Sequence, residues 1–101
     1  MIARIWRGRA TGTNAAAYVR HFTRSVAPEL KEIEGHRGAW LLQRKHAGET
    51  EFLALTLWAS LDAIRAFAGD KVDAAIVEPE ARAVLSGFDE CACHYEVAFE
   101  G

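Results

Sequence analysis

A chain of 101 residues, half of them apolar and 26% charged, has room for one domain and not for two. Its net charge of -2 gives no basis for expecting nucleic acid or an anionic membrane as partner. The longest uncharged stretch, 52–61, is far below the roughly 20 residues a membrane helix needs; with no signal-peptide pattern after Met1, a cytoplasmic protein is expected.

Residues 2–8, IARIWRG, alternate in the strand manner, with Ile2, Arg4 and Trp6 on one face and Ala3, Ile5 and Arg7 on the other. After Gly12, Thr13 or Asn14 can cap a helix running to about Leu30. Val19, Phe22, Val26, Leu30 and Ile33 supply its buried stripe. Pro28 falls inside this pattern, so the helix kinks there or restarts with Pro28 in a first turn. Gly35 breaks the pattern. Residues 37–46 form a second strand whose charges suit a sheet edge, and 47–50, AGET, bring the glycine of a hairpin loop.

The run 52–59 organises everything around it. Leu53, Leu55 and Leu57 point one way, and Phe52, Ala54, Thr56 and Trp58 the other, so both faces are suited to burial in a central strand. Ser60 is placed to cap a helix carrying Leu61, Ile64 and Phe67, with Gly69 as its stop. Asp70 can cap a second short helix through Val77, and 80–85 one more turn after Pro79. The last strand is read as 91–99, with Cys91, Cys93, Tyr95, Val97 and Phe99 on one face and Ala92, His94, Glu96 and Ala98 on the other. The two cysteines share a strand face, which disfavours a disulfide, and lack further metal ligands nearby; buried free thiols are expected.

The order β-α-β-β-α-β is that of a ferredoxin-like α+β fold with a four-stranded antiparallel sheet. Right-handed crossovers put both helices on one face. The other face stays bare and apolar, and a homodimer packed sheet to sheet would cover it.

The chain resembles the antibiotic biosynthesis monooxygenase family of small dimeric α/β-barrel proteins. The matching stretches are the strand ending LTLW at Trp58, the SLDAIRAFAG after it, the GHRGAW before the hairpin and the HYEV at 94–97. The resemblance implies a dimeric barrel and a small-molecule substrate or ligand. Family activities include cofactor-independent oxygenation of polyketide quinones, quinol oxygenation and haem degradation. Quinone-forming members carry an Asn four residues before the strand-end Trp and a Tyr six residues after it; here these are Ala54 and Ile64. Haem-degrading members carry a first-strand Asn, which falls near Trp6, and an axial His in the second helical region. Residues 70–85 contain no His. No haem, other cofactor or metal is therefore expected.

Six residues form the candidate site. Trp58 shares a face with small Ala54 and Thr56, which leaves a hollow beside a flat wall or else packs as plain core. Trp6 and Phe67 are grouped with Trp58 and Thr56 as substrate-binding. Arg4, on a central strand, either pairs with Glu96 or Glu51 or holds a carboxylate or enolate oxygen in a wet cavity. His94 is the candidate general base for a phenolic or enol proton, or else a strand-edge His bonded to water or backbone. His21, His36 and His46 read as surface residues. The function expected is cofactor-independent monooxygenation of a small electron-rich aromatic or quinol. The alternatives are a non-catalytic ligand-binding or stress-related dimer, or an isomerase or lyase.

Overall fold

In a computed structural model describing all 101 residues, strand β3 (Glu49–Trp58) pairs antiparallel on both sides. Strand β1 (Ile2–Ala10) lies against it from Ile2 opposite Trp58 to Ala10 opposite Thr50. Strand β2 (His36–His46) occupies the other side and the sheet edge. The hairpin between β2 and β3 turns on Ala47 and Gly48, both at positive φ, which matches the right-handed twist of the two strands. On the far side of β1 the fourth sheet position is shared by β4 (Gly87–Phe88) and β5 (Cys93–Glu96). The result is the ferredoxin-like α+β arrangement, with β1 and β3 in the middle.

The expected last strand, 91–99, is thus shortened to Cys93–Glu96, and Gly87–Phe88 forms a strand that was not expected. Its backbone leaves β1 after Asp89 to bond instead with the segment following the second helical region: Ala92 N–H reaches Asp73 O, and Ala75 N–H reaches Glu90 O. That same bonding removes the helix expected over 70–77. The carbonyls of Val72, Asp73 and Ala74 and the N–H of Ala75 are taken by β1 and the C-terminal segment, and a single turn, Ala74 N–H to Lys71 O at 2.9 Å, is all that is left of a helical ladder. The cysteines are free but exposed, because Cys93 stands on the uncovered side of the sheet beside Ile5.

Helix α1 (Asn14–His21) runs directly into a π-helical turn, Phe22–Val26, and then into α2 (Ala27–Lys31). Two sequence features account for the wide turn. Pro28 has no N–H to give to a carbonyl four residues back, and it sits in the first turn of α2. Thr23 Oγ1 donates to Val19 O at 2.8 Å, a local bond that loosens the helical ladder. The ring is closed by Ala27 N–H bonding to Phe22 O, five residues back. Helix α3 (Leu61–Ala68) starts as expected, with Ser60 Oγ accepting from Ala63 N–H at 3.2 Å. Helix α4 (Pro79–Val84) follows with proline in its first turn.

All helices lie on the even-numbered face of β3. Phe52, Thr56 and Trp58 are buried there, whereas Leu53, Leu55 and Leu57 are only half-covered. The core forms two clusters. Ala10, Tyr18, Phe22, Phe52 and Ala81 make one; Leu30, Trp58, Ile64 and Ala68 make the other. Val26, in the wide turn, touches both.

Candidate functional site

The two clusters do not merge, and between them is a cavity of about 70 Å³. Its floor is the small pair Ala54 and Thr56 of β3, beside Arg4 and Trp6 of β1. The helical wall comes from Tyr18, His21, Phe22 and Val26, and the roof from Phe67 and the segment around Ile76–Glu78. Small residues on a strand face that otherwise carries Phe52 and Trp58 leave this space, because the rings on either side hold the helices off.

Arg4 is only 5% exposed. Its Nη1 donates to Val72 O at 2.6 Å and to His94 Nε2 at 2.9 Å, and its Nη2 donates to Ala74 O at 2.8 Å. It pairs with neither Glu96 nor Glu51; Glu51 is held by Arg44, whose hydrogen bond keeps that carboxyl below the usual carboxylate range. Burial pushes the Arg4 guanidinium below its ordinary value, and the nearby Asp73 carboxylate opposes this. A guanidinium has five N–H donors, and Nε–H is among those with no acceptor in the chain. The Phe67 ring lies under the guanidinium carbon at 5.7 Å.

Trp58 is fully buried and stands behind the cavity, not on its wall. Its Nε1–H donates to Thr56 Oγ1 at 2.8 Å, and Phe67 stacks on it at 6.0 Å between ring centroids. Through Thr56 and Phe67, Trp58 fixes two wall residues. Trp6 is on the wall itself, tied by Nε1–H to Asp89 O at 2.8 Å and tilted against Tyr18 at 6.3 Å. His94 lies directly across from Arg4 and also behind the wall. Because Arg4 can only donate, His94 Nε2 holds a lone pair, and its Nδ1–H donates to Asp73 Oδ1 at 3.0 Å. Both its nitrogens are engaged.

Four wall residues are not singled out by the sequence, Tyr18, Ile76, Glu78 and Ala81, and a fifth, His21, reads there as a surface residue. Tyr18 is buried, its hydroxyl bonds to nothing in the chain, and burial raises its pKa, so it stays a neutral donor. His21, expected at the surface, lines the cavity, and His36 is half-buried edge-on to Trp58 at 5.1 Å. The wide turn explains His21: residues five apart come into line there, so His21 and Val26 face the same space. Pro28, six residues after Phe22, was the available signal.

No three His, Cys, Asp or Glu side chains converge anywhere to hold a metal ion. At about 70 Å³ the cavity as it stands does not admit a porphyrin, and no step is derived through one.

The model of the antibiotic biosynthesis monooxygenase family matches residues 1–78. The fold is similar to a Bacillus cereus protein provisionally described as an antibiotic biosynthesis monooxygenase, at 17% identity and TM-score 0.69, covering 100% of this chain and 94% of that one. It is similar to SnoaB, a cofactor-independent oxygenase from Streptomyces nogalater, at 18% identity and TM-score 0.69, covering 98% and 94%. A third is the heme-degrader MhuD from Mycobacterium tuberculosis, solved with two hemes in its active site, at 20% identity and TM-score 0.63, covering 100% and 99%. No curated protein matches the chain in a sequence comparison.

Proposed function

The chain belongs to the antibiotic biosynthesis monooxygenase family, and we propose that it is a cofactor-independent monooxygenase acting on a small electron-rich aromatic or quinol. The observation that carries this reading is a buried guanidinium with an unspent N–H on the wall of a cavity otherwise lined by Trp6, Tyr18, Phe22 and Phe67. Aromatic walls suit a flat ring, and the cation suits an oxygen that becomes anionic when the ring is deprotonated. The electron-rich anion can then reduce dioxygen directly. The protein's part is to bind, orient and exclude water. With about 70 Å³ available, under half of the roughly 150 Å³ of a cavity that takes benzene, even a single-ring ligand requires the roof segment around Ile76–Glu78 to move outward.

Ala54, on the floor where quinone-forming relatives carry Asn, favours a second reading in which the cavity binds its ligand without turnover. Oxygen uptake with anthrone, quinol and catechol substrates, against an anaerobic control, separates the two. Uptake that Ala54→Phe abolishes by filling the floor supports the enzyme. Saturable binding with no uptake supports the binding protein.

The working unit in this reading is a homodimer. Trp40 and Leu42 are each 48% exposed and Tyr95 57%, on the same sheet face as Leu53, Leu55 and Leu57. A patch of this kind is what a second copy would cover. Sedimentation near micromolar concentration should give twice the 11.1 kDa chain mass, and Leu55→Asp should halve it.

A further inference from the structure

Three imidazoles lie on the helix-covered side of the sheet, and only one is free to act in the cavity. His94 has one nitrogen committed to Arg4 and the other to Asp73. His36 packs against Trp58 outside the cavity, with Nε2 buried and unbonded. His21 lines the cavity, and neither of its ring nitrogens is hydrogen-bonded within the chain. The groups sharing its space are Tyr18 from its own helix, ring centroids 6.4 Å apart, Arg4 from β1, and Glu78 from the segment leading into α4.

We propose that His21, not His94, is the proton acceptor of this site, taking the proton of an acidic aromatic O–H seated over Ala54 and Thr56. The inference rests on the cavity being the aromatic-ligand site. In the step, the O–H bond breaks, its electron pair stays on oxygen as a phenolate, and the proton passes to a ring nitrogen of His21. The Arg4 guanidinium then carries the oxyanion, so the phenolate lies against two cations inside apolar walls. An imidazole with a free lone pair is the usual acceptor for such a proton near neutral pH. A nitrogen already accepting from a guanidinium is not, since protonation there would set two cations against each other. Tyr18, with a hydroxyl free to donate, can bond the same oxygen without competing for the proton.

The test uses 4-nitrophenol, a single-ring phenol whose ionisation is read by its absorbance without turnover. Bound to the intact protein, it should ionise about 1 pH unit or more below its value in buffer, as a nearby cation lowers an acidic group. His21→Gln should bind it and lose most of that shift, while His46→Gln, on the exposed hairpin, should keep it. A His21→Gln variant that keeps the full shift overturns the proposal. If His21→Gln does not bind or fold, the His21 ring of the intact protein is followed by NMR. Gain of a proton on adding nitrophenol supports the proposal, and an unchanged ring overturns it. Failure of the cavity reading looks different: Ala54→Phe then binds nitrophenol as well as the unaltered protein, which removes the site and the inference with it.

Discussion

Arg4 and His94 face each other across β1 and β5, and the 2.9 Å contact between them dictates the imidazole's tautomer. The resulting chain from Asp73 through His94 to Arg4 also fastens the roof, because the same guanidinium grips the carbonyls of Val72 and Ala74. Arg4→Met would leave those two carbonyls without their donor. The expected cost is about 1.5–3 kcal/mol, the range for hydrogen bonds to a charged group. Urea unfolding measures it, and amide exchange should quicken at 72–77 before it does in β3.

Trp58→Ala should cost about 3–5 kcal/mol, as truncation of a fully buried aromatic does. Because the indole lies behind Thr56 and Phe67, ligand binding should also weaken through loosening of those two wall residues. Thermal unfolding and nitrophenol titration on one preparation check both effects.

His36 gives a pH dependence of stability with a defined sign. Burial holds its pKa below the ordinary value, with the Gly38 backbone opposing. As pH falls through about 6.5, the unfolded chain takes up the proton first, so stability present above that pH is lost below it. His36→Phe should keep the packing on Trp58 and remove the orphaned Nε2. The expected gain is about 1 kcal/mol at neutral pH, with a flatter stability curve between pH 7 and 5. Urea midpoints at several pH values decide it.

Gly35 has φ of 92° and no room for a side chain, since a Cβ there would sit 2.6 Å from the Cβ of Ala63. Gly35→Ala should cost about 2 kcal/mol or more from backbone strain and overlap together. Adding Ala63→Gly should recover only the overlap, leaving the strain. The double variant should therefore melt between the single variant and the parent.

What the sequence disclosed followed where the physics is local. The alternation of β3 announced a central strand, Ser60 announced a helix start, and Ala54 with Thr56 announced the hollow above them. What it concealed depended on distant partners. The 70–77 segment has a helical pattern, but Arg4 and the C-terminal backbone claim its polar groups. Trp58, Trp6, Arg4 and His94 do share one face, yet only Trp6 and Arg4 reach the cavity, because Thr56 and Phe67 stand in front of Trp58 and Arg4 stands in front of His94. His21 was hidden because the buried stripe was counted through Val19 and Phe22, and the break was placed at Pro28 and not at Phe22–Val26.

The wide turn at Phe22–Val26 is, in effect, one residue more than an α-helix needs to cover that length. Removing Ser25, which is exposed, would let the segment close as an ordinary helix. Everything on its N-terminal side would then swing about 100° around the axis relative to α2, the rotation of a single helical residue. Leu30 could keep its seat beside Trp58, while Tyr18 and His21 would turn away from the sheet. A deletion that shortens the chain by one link and touches no wall residue would thus strip the chamber of its imidazole.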